Sequence, residues 1–310
     1  MIKIKRFFFS ILKETIGFLF LILGGVCLLK YSLRGKGALI ILNYHNFSKY
    51  NNYKIKRGDI LKTGFSSNFD KQIKFLKKHF DFSYPEDYFK SDENKRTNIL
   101  LTFDDGYKDN YDIAFPILKK YDAKAIFFIV TSIIGTKTWL KHDSLRFLVQ
   151  SGVKKELEIE TQLKKMNLGH SISDWLHNNE HSFKIPEQRL MMNWEEVNEI
   201  ANNSFKIGPH THQHSILSLL DYEKQKKEIQ TSIETIKNNL NIASKYFAYP
   251  NGLYNRDSIN ILEQSEVKYS FTTKTGFNSK TTTRHLLKRI GVNPSDSIGV
   301  LLLKLFIKCK

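Results

Sequence analysis

Cysteine is scarce in this sequence, with only two residues in a chain of 310. Cys27 lies inside an apolar run and Cys309 is the penultimate residue. Neither position is typical of a metal ligand or of half a framework disulfide. The fold must therefore stand without disulfide bonds. The compartment stays open, because many periplasmic and membrane proteins also lack them.

Nucleic-acid-binding signatures are also missing. The sequence contains no helix-turn-helix, zinc-finger or RNP-like motif, and its basic residues are spread along the chain. The chain is nevertheless basic, with 48 Lys and Arg against 31 Asp and Glu and a net charge of +17. This charge suits nucleic acid, anionic lipid or a phosphorylated substrate. Because no motif supports the first of these, we expect no nucleic-acid partner.

The N-terminus lacks a long uninterrupted apolar run. Lys13 and Glu14 interrupt it, and residues 16–29 would cover about 21 Å as a helix, short of the roughly 30 Å hydrocarbon core. No small-x-small cleavage site follows Leu29, which argues against a signal peptide. We expect residues 1–36 to be a retained membrane anchor with a basic flank, either a span or an interfacial hairpin. Basic residues on both sides leave its orientation open.

The C-terminus carries a second short apolar segment with basic residues, at positions 298–308. Such a helix is able to lie on an anionic bilayer. The alternative is an ordinary terminal helix that packs on the core. In the first case both ends of the chain would hold the protein at a membrane.

Between the two ends, apolar strands alternate with helices. A helical spacing joins Phe69, Ile73 and Leu76, and Asn193 with Glu196 three residues later predicts a capped helix start. The predicted strands are 38–44, 98–103, 124–131, 204–207, 245–249 and 268–272. This alternation predicts an α/β fold with a parallel sheet, closed as a distorted barrel. We expect one domain over residues 37–310, with a helical insertion at about 137–188.

Two adjacent carboxylates, Asp104 and Asp105, stand where an apolar strand ends. Adjacent residues there point in different directions, so one can bind a cation while the other faces its bound water. His210 and His214 have the spacing by which two histidines on one helical turn hold zinc. Taken singly, Asp-Asp-Gly is typical of a turn and a histidine cluster is typical of a solvated surface. Both motifs, however, follow strands, where α/β enzymes place their sites.

Three motifs follow one another along the chain: Thr-Phe-Asp-Asp-Gly at 102–106, His-Thr-x-x-His at 210–214 and Phe-Ala-Tyr-Pro-Asn-Gly at 247–252. In this order they resemble the motifs of the polysaccharide deacetylases, the family that shares the NodB homology domain. Weaker similarity at 42–45 and 288–290 extends the resemblance over residues 38 to 293. It implies the distorted (β/α) barrel of that family and a carbohydrate deacetylase activity.

The resemblance also implies roles for the two central motifs. Asp105, His210 and His214 match the family's metal ligands, and Asp104 matches the catalytic base that takes a proton from the metal-bound water. A divalent cation lowers the pKa of its water, so a neighbouring carboxylate can remove that proton near neutrality. The metal is expected to be zinc, although cobalt, nickel, manganese and iron also accept this ligand set.

The third motif corresponds to a substrate-binding segment. Asn251 matches the backbone donor to the oxyanion, and Tyr249 and Pro250 precede it in the same motif. Thr211 matches a hydroxyl that orients a ligand or binds acetate, with a turn-stabilising hydroxyl as the alternative. His212 lies between the two histidine ligands and is expected to face away from the metal.

Two departures from the family pattern affect the assignment. Many members carry an arginine two residues before the third-motif proline, where this chain has Ala248; we expect Arg289 to supply that charge. A late Leu-x-His motif is missing, and His285 is a poor match for it. His45 resembles an early histidine of the branch that acts on poly-N-acetylglucosamine. We expect it to be the general acid, with a buried structural histidine as the alternative.

These residues predict a metal-dependent hydrolase that removes N-acetyl groups from an amino sugar, in a surface polysaccharide or its lipid-linked precursor. The expected location is membrane-associated, in a bacterial cell envelope, with the side of the membrane open. One alternative is an O-acetyl esterase that uses the same site. Another is a catalytically silent, membrane-bound carbohydrate-binding protein, although a silent site has no need of a base beside three ligands.

Overall fold

A computed structural model of the chain describes residues 2–34, 37–48, 54–55, 58–59, 64–91, 97–144 and 189–309. The helices are α1 (Ile2–Ile22), α2 (Gly25–Ser32), α3 (Ser66–His79), α4 (Pro85–Lys90), α5 (Phe115–Lys120), α6 (Trp194–Asn202), α7 (Tyr222–Leu240), α8 (Arg256–Glu263) and α9 (Ile298–Lys308). The strands are β1 (Leu39–Tyr44), β2 (Phe47–Ser48), β3 (Lys54–Ile55), β4 (Gly58–Asp59), β5 (Gly64–Phe65), β6 (Asp81–Phe82), β7 (Asn98–Phe103), β8 (Ala125–Ile129), β9 (Lys206–Pro209), β10 (Tyr246–Ala248), β11 (Tyr269–Phe271) and β12 (Ile290–Gly291).

The main sheet is parallel, with the order β12-β1-β7-β8-β9, and β6 pairs with the first residues of β7. β1 is buried along its whole length, and β7 is buried after its first residue. Strands covered on both faces are apolar throughout rather than alternating. The α/β fold with a parallel sheet is therefore confirmed, and each of the six predicted strands is present to within two residues.

A second parallel pair, β10 and β11, lies beside the main sheet. The Ser244 hydroxyl, which precedes β10, donates to the Ile207 carbonyl of β9 at 2.8 Å. On the other side, Phe271 of β11 forms a parallel bridge with Leu287, which precedes β12. Within the described residues, these two parallel sheets therefore adjoin at two places and do not form one continuous ladder. Two further small sheets pair β2 with β5 and β3 with β4.

The C-terminal helix α9 packs closely against α1. A Cβ atom on Gly299 would lie 2.4 Å from the Gly17 carbonyl carbon, so the two backbones meet at a pair of glycines. The buried residues of α9 are Gly299, Val300, Leu301, Leu302 and Leu305. Four apolar side chains of this helix thus lie inside the protein, as the core-packed alternative expects.

The lysine that interrupts the N-terminal apolar run has a partner in the folded domain. Lys13 pairs with Asp296 at 2.8 Å, and Lys304 of α9 pairs with the same carboxylate at 2.6 Å. Leu29 and Leu33 belong to the main apolar core. The N-terminal segment is therefore packed on the domain through both charge and apolar contact.

In the described part of the chain, no single helix has both the length and the apolar character needed to cross a bilayer. The part of α1 from Ile11 onward and α2 meet the requirement together, but they are bent by 78° at their junction. The N-terminal membrane anchor stays a prediction. Most of the expected helical insertion at 137–188 lies outside the described residues.

Candidate active site

The predicted site residues lie at one edge of the main sheet. Asp104 and Asp105 follow β7, His210 follows β9 and His45 follows β1, while Arg289 immediately precedes β12. Neighbouring parallel strands bring their carboxyl ends to the same edge. The structure therefore gathers residues that are separated by up to about 240 positions in the sequence.

Three ligand groups converge at this edge. Asp105 Oδ1 lies 3.6 Å from His210 Nε2 and 3.3 Å from His214 Nε2. All three ligand atoms lie within 4.8 Å of one another. A tetrahedral cation with bonds of about 2.1 Å separates its ligands by about 3.4 Å. These residues therefore fit a divalent cation, with positions left open for water and substrate.

A hydrogen bond orients the first histidine. His210 Nδ1 lies 2.8 Å from the Ala248 carbonyl oxygen, which can only accept, so Nδ1 carries the proton. The Nε2 lone pair is then available on the side of Asp105. Burial lowers the pKa of His210 to about 4, so the ring is neutral and able to bind a cation at neutral pH.

The two histidines lie on a tight loop after β9 and not on one helical turn. Thr211 and His214 have positive φ angles of 62° and 60°, which return the loop on itself. The Thr211 hydroxyl accepts a hydrogen bond from the Ser215 amide at 3.1 Å. It therefore stabilises the turn, and its role toward substrate stays a prediction.

His212 is held away from the ligand cluster. Its Nδ1 lies 2.9 Å from the Thr131 hydroxyl oxygen, and its backbone amide donates to Glu228 at 3.1 Å. It is not part of the three-ligand group, as the sequence predicted. Glu228, on α7, was not predicted from the sequence and fixes the loop from outside.

The carboxylate of Asp104, which is not one of the three ligands, is buried, and both of its oxygens accept hydrogen bonds. The two terminal nitrogens of Arg289 donate to its two oxygens at 2.7 and 2.8 Å, and Asn43 Nδ2 donates at 3.1 Å. Burial alone would raise the pKa of Asp104, but the charge and the hydrogen bonds of Arg289 hold it below the ordinary value. Asp104 is therefore ionised at neutral pH, with Arg289 in the place expected for it.

Asp105, the carboxylate among the three ligand residues, is also ionised. Burial opposes ionisation of Asp105, but its hydrogen bond with His214 and the charges of His214 and His45 lower its pKa overall. Its backbone has a positive φ of 78°. An L-residue in this region is uncommon and is typical of functional sites.

His45 stands beside Asp104 at the mouth of the site. Its Nε2 lies 3.9 Å from Asp104 Oδ2, and its side chain is 51 % exposed. The alternative of a buried structural histidine is therefore wrong. A solvent-accessible imidazole next to the ionised carboxylate is suitably placed to exchange protons with substrate, and the general-acid role stays a prediction.

The third motif forms a turn after β10. Asn251 is exposed, has a positive φ of 55° and accepts a hydrogen bond from the Thr273 hydroxyl through its carbonyl at 3.0 Å. Tyr249 is fully buried, and its hydroxyl donates to the His285 carbonyl at 3.2 Å. Pro250 is buried as well. The substrate-binding roles of these three residues stay predictions.

The sequence reasoning missed a polar group on the other side of the ligands. The Tyr107 hydroxyl donates to Asp143 Oδ2 at 2.8 Å and accepts from His142 Nε2 at 3.0 Å. The His142 ring centroid lies 5.8 Å from that of His214. The only sequence signal was the position of Tyr107 two residues after the Asp pair.

Removal of one ligand should sharply weaken metal binding. We expect His210→Ala to lower the affinity for zinc by more than about 100-fold, because loss of even an outer partner of a ligand costs about 10–100-fold. His212→Ala is the matched control on the same loop and should bind zinc as the wild type does. Isothermal titration of the chelator-stripped chain measures both. Equal losses in the two variants would contradict the assignment of the ligands.

Comparisons with known proteins agree with the site. The family model described as polysaccharide deacetylase matches residues 91–270. The chain is 26% identical over 199 residues to the Bacillus subtilis protein YxkH, whose name places it among the polysaccharide deacetylases; the match covers 64% of this chain and 53% of that protein. It is 26% identical over 273 residues to the poly-beta-1,6-N-acetyl-D-glucosamine N-deacetylase of Staphylococcus aureus, covering 79% of this chain and 74% of the relative.

Solved structures share the fold of this chain. The deacetylase PplD of Streptococcus pyogenes, in complex with acetate, aligns with a TM-score of 0.61 at 23% identity, over 86% of this chain and 98% of that one. IcaB from Ammonifex degensii aligns with a TM-score of 0.60 at 20% identity, over 87% and 97%. At these identities the likeness shows the fold, and the family model and its motifs carry the assignment. The chain therefore belongs to the polysaccharide deacetylase family.

Proposed function

We propose that this chain is a metal-dependent hydrolase that removes N-acetyl groups from an N-acetylglucosamine-type polysaccharide of the cell surface. The observation that carries the proposal is the cluster of Asp105, His210 and His214 beside the ionised and fully paired Asp104. A cation site next to an ionised base is what hydrolysis of an unactivated amide requires. The matched N-deacetylase of Staphylococcus aureus supports the amino-sugar substrate.

A divalent cation held by the three ligands, proposed to be zinc, would polarise the acetamide carbonyl and acidify water. Asp104 then receives the proton of the attacking water, and the two-point contact with Arg289 holds its carboxylate in one orientation. The backbone amide of Asn251 is proposed to donate to the oxyanion.

The released amine needs a proton, which we assign to His45. Its ring is solvent-accessible and lies beside the carboxylate that has accepted a proton from water. A general acid placed next to the base can pass a proton to the leaving nitrogen without a change of site. His285 is only partly exposed, and its ring is hydrogen bonded to Ser270 at 3.0 Å, which makes it less suitable for this role.

We further propose that the chain is associated with the membrane of a bacterial cell envelope through its N-terminal helices. Exposed apolar side chains along these helices support this location. They include Ile11, Leu12, Ile16, Phe18, Leu19, Ile22, Leu23 and Leu28. Exposed apolar side chains in this number within one segment are typical of an interaction surface.

Release of acetate and of free amine from N-acetylglucosamine oligomers tests the proposed reaction. We expect equal amounts of the two products, loss of both with a chelator and recovery on addition of zinc or cobalt. Acetate without amine, released from acetyl esters only, would favour the O-acetyl esterase. Bound metal without release of acetate from any of these substrates would favour the silent carbohydrate-binding protein.

A further inference from the structure

A surface cavity of about 340 Å³ lies at the C-terminal ends of α2 and α3. Its wall carries four basic side chains: Lys30 of α2, Arg34 just beyond the end of α2, and Lys77 and Lys78 of α3. The remaining lining residues are Leu33, His79, Phe80, Asp81 and Thr97. In the described part of the chain, no acidic side chain pairs with these four cations at contact distance. The ammonium of Lys30 instead lies 5.9 Å from the Phe80 ring centroid.

The positive charge of this cavity exceeds the negative charge of the two helix C-termini beside it. Each helix C-terminus carries roughly half a negative charge, and Asp81 adds one more. The four cations therefore leave an excess of roughly two positive charges. The neighbouring His79 lies in the same positive environment: burial, and then the charges of Lys30 and Lys78, lower its pKa.

The helix that carries Lys30 also exposes apolar side chains. Leu28 is 48% exposed, and Tyr31, which follows Lys30 in the sequence, is 76% exposed. A cationic cavity at the end of a helix that exposes apolar side chains matches a lipid, which presents a phosphate next to its acyl chains.

The cavity is separate from the candidate active site. Thr97 lines the cavity and precedes β7, whereas Asp104 follows the other end of that strand. Six residues of strand span about 20 Å. Substitutions in the cavity are therefore expected to leave the metal ligands and Asp104 unchanged.

We propose that this cavity binds the phosphate of an anionic membrane lipid, while the exposed apolar side chains of α2 contact the acyl region. The proposal rests on the membrane attachment proposed above and gives it chemical specificity. It predicts that attachment depends on the charge of the lipid as well as on apolar contact.

Sedimentation of the full chain with vesicles tests this site. Vesicles of phosphatidylcholine alone are compared with vesicles that also contain phosphatidylglycerol. Near a surface, each basic residue contributes about 1 kcal/mol, so Lys77→Ala/Lys78→Ala should weaken binding to the anionic vesicles by about 30-fold. The control Lys227→Ala/Lys237→Ala removes the same charge from α7, which packs on β9 and α8, and should bind nearly as the wild type does.

Further measurements test whether phosphate is the group that the cavity binds and whether apolar contact contributes to the attachment. Inorganic phosphate at constant ionic strength should displace the wild type from anionic vesicles. Equal binding to both vesicle types, equal loss in both double variants, or failure of inorganic phosphate to displace the wild type from anionic vesicles would overturn the proposal. So would a Leu28→Ser variant that keeps the vesicle binding of the wild type. Release of acetate from soluble oligomers should be unchanged in all of these variants, so failure of the proposed reaction would be seen separately.

Discussion

Replacement of Asp104 by asparagine is expected to lower kcat for deacetylation by about 10²–10⁴-fold, the usual contribution of a general base. The amide has nearly the same shape as the carboxylate but cannot accept the proton of the attacking water. Because the three ligand groups belong to other residues, the zinc affinity should stay near that of the wild type. Acetate release at saturating metal, together with isothermal titration of zinc, measures both quantities.

The complementary variant distinguishes the two carboxylates. Asp105→Asn should lower the affinity for zinc, and its activity should partly return at high metal concentration. Asp112→Asn is the matched control, since it changes an exposed carboxylate that pairs with Lys108 on the surface. Its activity should equal that of the wild type. Retained activity in Asp104→Asn, with complete loss in Asp105→Asn at every metal concentration, would show that Asp105 and not Asp104 is the base.

The location of the site could be predicted because it depends on the ends of strands. The apolar runs of β1, β7 and β9 are readable in the sequence, and a parallel sheet brings their carboxyl ends together. Asp105, His210 and His214 were therefore predicted from motif and position. The backbone geometry of the two histidines could not be predicted, because spacing alone does not distinguish a helical turn from a loop with two positive φ angles.

The partners of the site were harder to predict. Asn43 bonds both Asp104 and Arg289, and its only signal was a polar residue inside an otherwise apolar strand. β12 has two residues, too few for a hydrophobic period, so the position of Arg289 followed from the need for a charge rather than from a pattern. The contact of Tyr107 with Asp143 joins residues 36 positions apart, and no local rule encodes such a pair.

Loss of the Arg289 guanidinium should destabilise the fold strongly. Both side chains of the pair are buried, at 0% and 3% exposure, and removal of one partner leaves an uncompensated buried charge. Arg289→Met is therefore expected to lower the free energy of unfolding by about 3–5 kcal/mol at neutral pH. Urea unfolding of the chelator-stripped chain measures this change. Arg256→Met, at an exposed position of α8, should change stability by less than about 0.5 kcal/mol.

The stability lost in Arg289→Met should depend on pH in a definite direction. In the wild type the pKa of Asp104 is lowered. The Asp104–Arg289 pair therefore stabilises the fold fully at a pH above the ordinary aspartate pKa of about 3.9. This stabilisation is lost as the pH falls through the lowered pKa of Asp104 in the folded state. Without Arg289, burial should raise that pKa, so the carboxyl can take up a proton and shed its buried charge under mildly acidic conditions. The stability difference between wild type and Arg289→Met should therefore narrow as the pH falls. Asp104→Asn/Arg289→Met should be more stable than the sum of the single changes predicts. A difference that is constant with pH, or strict additivity, would show that Arg289 acts through packing and not through its charge on Asp104.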